Sequence, residues 1–262
     1  MKLLIAVPSK GRADKIIKHT MRWLPRTGFE VRVFVEPQEY EKYKERLEHG
    51  NYDNRVHFPL EHLIDIGEND KGLSFVKGYI KQYALDNGFE LVFKMDDDVL
   101  RFNARGKNKS DDEMVMDFAG MVGICRKTMG EYPDVGAIGF GYRNELFEPK
   151  RWVSINTRLQ TCYIIRTELL QSGFNTTEDF AQYLYLRSLN KTTLRYGLLG
   201  IDCADVGKNK GGLQLFDRQK QFEEEAEALR KIYPALQFKK VDGKSWHYEP
   251  VLEGEFFGVK KL

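Results

Sequence analysis

The chain has little cysteine, no long apolar run and almost no net charge, and each absence excludes a class of protein. Its 262 residues include three cysteines, Cys125, Cys162 and Cys203, without CxxC spacing. This pattern predicts reduced thiols in a cytoplasmic protein, with neither a disulfide framework nor a cysteine-based zinc site. No segment approaches the roughly 20 apolar residues of a membrane span. The apolar stretch at residues 3–7 is too short for a signal peptide, so we expect no membrane partner.

Charge of one sign is also missing, because 41 Lys and Arg residues face 39 Asp and Glu residues, for a formal net charge of +2. A net charge so close to zero neither requires nor excludes nucleic-acid binding, which must be judged from local groups of basic residues. Two basic groups with aromatic residues nearby would suit phosphates and bases; they contain Arg101, Arg105, Lys107 and Lys109, and Lys239, Lys240 and Lys244. Solvated charged faces are the alternative explanation.

What the sequence does contain is an alternation of strands and helices up to about residue 100. Strands are predicted at residues 2–7, 31–35, 56–60 and 91–95, and helices at residues 13–23, 40–48 and 73–85. Such alternation indicates βαβ units and a mostly parallel sheet. Ligands bind beyond the carboxyl ends of the strands in sheets of this kind.

The second half of the chain is less regular. Helices are predicted at residues 111–129, 178–189 and 219–232, strands at 135–142 and 193–199, and antiparallel strands at 151–155 and 160–166. The basic, aromatic tail at 238–262 shows no clear periodicity. Without a repeat or a linker, we expect a single domain over residues 1–262, with a nucleotide-binding half at about 1–100 and an acceptor half at about 101–262.

Three consecutive aspartates, Asp96, Asp97 and Asp98, follow the apolar strand predicted at residues 91–95. On an extended strand, Asp96 and Asp98 would point one way and Asp97 the other. Two carboxylates on one side suit Mg²⁺ or Mn²⁺, which would offset their repulsion and bridge to phosphates. A solvated acidic turn is the alternative.

The order of the segments LLIAVPSKGRADKI, VFVEP and KGLSFVKGYIKQYALDNGFELVFKMDDDV resembles the GT-A glycosyltransferases. More narrowly, it resembles the phage-encoded TET-associated glycosyltransferases, over about residues 2–250. The resemblance implies an α/β, Rossmann-like GT-A fold with a mostly parallel central sheet and a smaller antiparallel acceptor-side portion. It also implies a DxD motif holding Mn²⁺ or Mg²⁺, a nucleotide-sugar donor expected to be UDP-glucose or UDP-N-acetylglucosamine, and 5-hydroxymethylcytosine in DNA as acceptor. A phage-encoded enzyme would act in the host cytoplasm.

The same resemblance assigns the donor site. Pro8, Ser9 and Arg12 would lie beside the nucleotide, with Arg12 contacting the diphosphate, and Glu36 would accept from a uracil N3–H. Further donor contacts fall on Lys71, Gly72, Leu73, Lys77 and Asp97. Independently of the resemblance, the composition of the loop DVGKNKGGLQ predicts that Lys208 and Lys210 close over the diphosphate. Many relatives have arginine where this chain has Lys77, and lysine lacks the bidentate fork. The alternatives are an ordinary turn with a solvated arginine at residues 8–12, a strand-end charge at Glu36, and a solvated loop at Lys208 and Lys210.

The catalytic residues are expected in TTEDFAQYLYLRSL, where Glu178 and Asp179 open an amphipathic helix. By resemblance one of these acids is the base that deprotonates the acceptor hydroxyl, and we favour Asp179 over Glu178. Thr176 and Asp179 also fit a helix-capping pattern, which remains an alternative. His247, in KSWHYEP, would complete the metal shell alongside Asp96 and Asp98, unless it is merely a packed histidine.

The residues and the resemblance together predict a metal-dependent glycosyltransferase, and the resemblance implies 5-hydroxymethylcytosine in DNA as its acceptor. Three alternatives remain. The first is a GT-A enzyme with a glycan or protein acceptor. The second is a nucleotidyltransferase, which would need a triphosphate-binding loop after the first strand, and PSKGRAD is short for such a loop. The third is a DNA-binding accessory protein with a decayed site.

Overall fold

The structure, a computed structural model, describes residues 1–49, 58–104, 110–142, 153–159, 161–204, 218–234, 237–240 and 248–251. Several residues with predicted roles lie outside these ranges: Lys208, Lys210 and His247, and Arg105, Lys107, Lys109 and Lys244 of the two basic groups. Among the described helices, none is long and apolar enough to cross a membrane.

The strands of the described ranges form one large mixed sheet and one hairpin. They are β1 Leu3–Pro8, β2 Val31–Val35, β3 Leu63–Asp65, β4 Leu91–Lys94, β5 Val99–Ala104, β6 Val135–Tyr142, β7 Val153–Ile155, β8 Tyr163–Arg166, β9 Thr192–Cys203, β10 Gln237–Lys240 and β11 Tyr248–Val251. The large sheet has the order β3-β2-β1-β4-β8-β6-β9-β5, and β7 pairs with β9. Strands β3, β2, β1 and β4 are mutually parallel, whereas β8 lies antiparallel to both β4 and β6. The expected α/β fold, parallel in its first half with an antiparallel portion beyond it, is confirmed.

The helices are α1 Ala13–Ile16, α2 Thr20–Trp23, α3 Tyr40–His49, α4 Gly72–Asp86, α5 Asp111–Glu131, α6 Glu178–Ser188 and α7 Arg218–Ile232. They cover both faces of the sheet, and successive residues of β1 alternate between the two cores. Leu3 and Ile5 belong to a core shared with α1, α2, α3 and α5. Leu4 and Ala6 belong to a second core shared with α4 and α6. A strand buried on both faces reads as a continuous apolar run, which explains the sequence of β1.

Two predictions near the amino terminus need correction. The helix predicted at residues 13–23 is two short helices, α1 and α2, separated by a turn. The reason is tertiary: the Thr20 hydroxyl donates to the Asp96 carbonyl at 2.8 Å and accepts the Val99 N–H at 2.9 Å. The strand predicted at residues 56–60 is displaced to β3, because residues 60–62 form a single helical turn that starts after Pro59.

The aspartates are also arranged differently from the prediction. Strand β4 ends at Lys94, and Asp97 and Asp98 form a tight turn into β5, a strand that the sequence analysis missed. The alternation of an extended strand therefore does not reach them. The hairpin of β10 and β11 was missed as well, because its segment shows no period-two pattern.

Candidate active site

The turn between β4 and β5, which we call the aspartate turn (Asp96–Asp98), lies at the carboxyl end of the central parallel strands. Asp97 is buried, and its carboxylate accepts a short hydrogen bond from the Ser9 hydroxyl. Its other oxygen lies 2.6 Å from Nη1 of Arg12. Tyr43 supports this contact, because its hydroxyl bonds Ser9 Oγ at 2.7 Å and accepts the Arg12 N–H at 3.0 Å. The end of β1 and the aspartate turn are thus joined.

Asp98 shares the same guanidinium, with its Oδ2 atom 3.4 Å from Arg12 Nη1. Burial, followed by repulsion from Asp96 and Asp97, raises the pKa of the Asp98 carboxyl to about 7, although Arg12 opposes the shift. Burial also raises the pKa of Asp96, against the attraction of Lys94. The aspartate turn therefore carries more negative charge than its protein neighbours compensate.

The second acid site is the start of α6. The Glu178 carboxylate is paired on both oxygens, with Oε2 2.8 Å from Lys77 Nζ and Oε1 3.2 Å from Lys94 Nζ. Both lysine side chains are 2–3 % exposed. Burial pushes the pKa of Glu178 upward, but the two lysines outweigh it and lower that pKa to about 2. Glu178 is thus an ion-pair partner that holds its charge and has little affinity for a proton.

Lys94 connects the two acid sites. It is the last residue of β4, on the strand face that packs towards α4 and α6, and its Nζ lies 2.6 Å from Asp96 Oδ1 as well as 3.2 Å from Glu178 Oε1. The sequence analysis missed this role. A lysine ending an otherwise apolar strand, immediately before acidic residues, is the signal that could have revealed it, because a buried ammonium needs a paired carboxylate.

Asp179 has a different setting from Glu178. Its Oδ2 atom lies 2.7 Å from Nε of Arg158, whose guanidinium stacks 3.9 Å above the Phe180 ring. Its Oδ1 atom accepts the Phe180 N–H at 2.9 Å. Burial raises the pKa of Asp179 above its ordinary value, with Arg158 opposing, so this carboxylate keeps more proton affinity than Glu178. Arg158 is a second residue that the sequence analysis missed, since it lies outside every regular element.

Glu36 lies where the sequence placed it, after β2 and buried beside the end of β1. One carboxylate oxygen is 2.7 Å from Lys10 Nζ, and the other accepts from Gln38 Nε2 at 2.8 Å. Lys10 also contacts Asp70, which follows β3. The predicted uracil contact would therefore have to be made in competition with Lys10 and Gln38.

The segment before α4 was predicted to contact the donor. Lys71 is exposed and lies 3.9 Å from Glu68, and Leu73 is half-buried. Gly72 adopts φ +81°, and a Cβ there would lie 2.6 Å from Asn175 Oδ1, so the position requires glycine. An open pocket of about 470 Å³ on the outer face of α4 is lined by Lys71, Ser74, Phe75, Gly78, Tyr79 and Ser172. That pocket contains none of the aspartates.

The carboxylates of the aspartate turn provide only part of a site for a hard divalent cation. Within the described ranges, no group of three or more His, Cys, Asp or Glu side chains is arranged to hold a metal ion. Asp96 and Asp98 nevertheless offer the oxygen atoms that Mn²⁺ and Mg²⁺ take. Burial, followed by repulsion from Asp96 and Asp97, raises the pKa of Asp98. By themselves the carboxylates of Asp96 and Asp98 would supply only part of the coordination shell of such a cation.

Carboxylate and basic side chains gather at the ends of the parallel strands of an α/β sheet, which is the arrangement expected from the sequence for a GT-A fold. The chain belongs to the TET-associated glycosyltransferase family, whose family model matches residues 3–212. The recognition of this family from the sequence is confirmed. No curated protein sequence matches the chain.

Solved structures resemble the chain at low sequence identity. A mycobacterial protein has a TM-score of 0.50 at 10% identity, covering 95% of this chain and 83% of its own. UDP-glucose pyrophosphorylase in complex with UDP-glucose has a TM-score of 0.48 at 10% identity, covering 88% of this chain and 100% of its own. Residues 1–349 of S. aureus TarS have a TM-score of 0.46 at 14% identity, covering 77% of this chain. The chain spans 59% of that TarS fragment.

Proposed function

We propose that the protein transfers a sugar from a UDP-sugar, UDP-glucose or UDP-N-acetylglucosamine, to the hydroxyl of 5-hydroxymethylcytosine in DNA. The observation that carries this proposal is the aspartate turn, in a chain whose family consists of glycosyltransferases. Asp96 and Asp98 would hold Mn²⁺ or Mg²⁺, which when bound neutralises charge on the donor diphosphate. The DNA acceptor rests on the family resemblance alone.

Arg12 would bind the diphosphate beside the aspartate turn. Its guanidinium already lies between Asp97 and Asp98, and its buried Nε has no hydrogen-bond partner in the described part of the chain. A buried donor without a partner costs about 1–3 kcal/mol, which an incoming phosphate oxygen would recover. Ser9 and Asp97 hold the guanidinium in place.

Asp179 would act as the base. It takes the proton of the acceptor hydroxyl while that oxygen bonds to the anomeric carbon, and the bond from that carbon to the diphosphate oxygen breaks. The raised pKa of Asp179 suits this role, whereas Glu178, with its pKa lowered to about 2, would remain ionised against Lys77 and Lys94. We therefore assign Glu178 to holding the two lysines.

The test is the intact mass of a 5-hydroxymethylcytosine oligonucleotide after incubation with protein, Mn²⁺ and the two UDP-sugars. We expect a gain of one hexose or one N-acetylhexosamine, absent with cytosine oligonucleotide and with the Asp98→Ala variant. Release of UDP without a mass gain would reject the DNA acceptor in favour of a glycan or protein. Release of pyrophosphate from UTP and a sugar phosphate would identify a nucleotidyltransferase instead.

A further inference from the structure

One carboxylate outside the residues discussed so far makes an unusual number of hydrogen bonds. Glu225, on α7, accepts from the backbone N–H groups of Asn175, Thr176 and Thr177 at 2.7, 2.8 and 2.9 Å. It also accepts from the hydroxyls of Thr176 and Thr177 at 2.7 and 3.0 Å. Five donors from three consecutive residues thus converge on a single side chain, which we call the Glu225 clamp.

The clamp replaces the capping arrangement that the sequence suggested. Thr177 is the residue before α6, yet neither it nor Thr176 caps the helix through its own side chain, since both hydroxyls bind Glu225. The two residues that follow are Glu178 and Asp179. The backbone immediately before the acid pair is therefore held from another helix and not by a local side-chain cap.

Asn175, the first of these three residues, also contacts helix α4 on the donor side of the site. Asn175 Oδ1 accepts the Ser74 N–H at 2.7 Å, in the first turn of α4, beside Gly72. Ser74 Oγ in turn accepts the Gly173 N–H at 2.6 Å. Loss of the clamp would release the segment that connects the donor-side helix α4 to the acids of α6.

We propose that Glu225 is a positioning residue for the catalytic acid, an inference that rests on the proposed function. It holds residues 175–177 so that Asp179 presents its carboxylate at a fixed distance from the aspartate turn. A displacement of about 1 Å in a catalytic group costs about 100-fold in rate. Helix α7, which the sequence analysis predicted only as a helix at residues 219–232, thereby acts on the site without touching substrate.

The test compares Glu225→Gln with Glu224→Gln, its neighbour on the same helix. Glu224 is exposed, and among the described residues its ion pair is a 4.0 Å contact with Lys220, so its replacement controls for the loss of one charge. UDP release from UDP-glucose is measured with Mn²⁺ and the acceptor, and each variant is checked for cooperative unfolding. We expect Glu225→Gln to lower kcat by about 10- to 100-fold with the donor KM within about three-fold. Glu224→Gln should match the wild type.

A double-mutant cycle separates positioning from general destabilisation. In an Asp179→Asn background, Glu225→Gln should lower kcat no further, because the group it positions is already gone. Glu225→Asp, which keeps the charge but shortens the side chain, should show the same non-additivity and serves if the glutamine variant does not fold. The inference would be overturned if the kcat losses of Glu225→Gln and Asp179→Asn multiplied in the double variant, or if Glu225→Gln alone kept the wild-type kcat. A wild-type protein that releases no UDP with any acceptor would instead reject the proposed function.

Discussion

The aspartate turn and the start of α6 both place adjacent acids at the same edge of the sheet, yet their electrostatic settings are opposite. At the aspartate turn, acids outnumber the cations that contact them, and the pKa of Asp98 is raised to about 7. At the start of α6, Glu178 meets two buried lysines and its pKa falls to about 2. The first setting is compatible with the cation that we propose, whereas in the second the protein's own lysines already neutralise the acid.

The comparison shows that acidic motifs cannot be assigned roles by residue type alone. Burial acts in the same direction on Asp98 and Glu178, and the neighbouring charges decide the outcome. Lys94, shared between Asp96 and Glu178, marks the boundary between the two settings.

The largest expected effect comes from removing a metal ligand at the aspartate turn. Asp98→Asn keeps the shape of the side chain but loses the charge that would hold the cation. We expect kcat/KM for transfer to fall by about 1,000-fold or more, because a bound cation contributes several kcal/mol to charge stabilisation. Initial rates across a Mn²⁺ series measure this, with the exposed Asp134→Asn as control. Metal-independent activity in the wild type would contradict the role of the turn.

Replacing the proposed base should be the next largest effect. Asp179→Asn should lower kcat by about 100- to 10,000-fold, the range for loss of a general base, while leaving UDP affinity in Mn²⁺ unchanged. Single-turnover rates and calorimetric UDP binding would be measured together. If Glu178→Gln had the larger effect on kcat at equal stability, the two acids would exchange roles.

Glu178→Gln tests the neutralised side of the comparison through stability. Because Lys77 and Lys94 would stay buried with one partner fewer, we expect a loss of about 3–5 kcal/mol in the free energy of unfolding near neutral pH. A carboxyl with a lowered pKa stabilises the fold above its ordinary value of 4.5 and loses that contribution as pH falls towards about 2. The difference between wild type and variant, measured by urea unfolding, should therefore shrink over this interval. A difference independent of pH would contradict the ion-pair account.

The smallest effect concerns Gly72, the glycine at the start of α4 beside Asn175. Gly72 and Gly88 both have positive φ, but only at Gly72 would an added Cβ approach another residue, Asn175. Each alanine variant should cost about 1 kcal/mol or more in backbone strain, and Gly72→Ala about 1 kcal/mol beyond Gly88→Ala. Thermal unfolding of the pair measures this. Equal losses of stability in the two variants would mean that Asn175 moves away from the added Cβ at no measurable cost.

The sequence predicted the sheet well where periodicity is strong. Strand β2 and helix α4 lie within a residue or so of their predicted bounds, because apolar patterns and turn residues act locally. The break between α1 and α2 could not be predicted, since it depends on Thr20 bonding to a turn about 76 residues away. Strand β5 was missed because the aspartates looked like the end of a strand and not a turn between two.

The candidate site likewise has features that the sequence predicts and features that it does not. The gathering of Arg12, Glu36 and the aspartates at one edge follows from parallel topology, which the sequence indicates. The partners of these residues do not follow from it. That Glu36 is paired with Lys10, and that Glu225 holds the segment before α6, depends on contacts between distant residues that no local pattern encodes.

The most direct test of the central claim is calorimetric titration of Mn²⁺ into the protein with saturating UDP, for the wild type, Asp98→Asn and Glu178→Gln. The account predicts one Mn²⁺ site in the wild type, loss of that site in Asp98→Asn, and its retention in folded Glu178→Gln. Equal Mn²⁺ affinity in Asp98→Asn and the wild type would contradict the claim that the aspartate turn is the cation site.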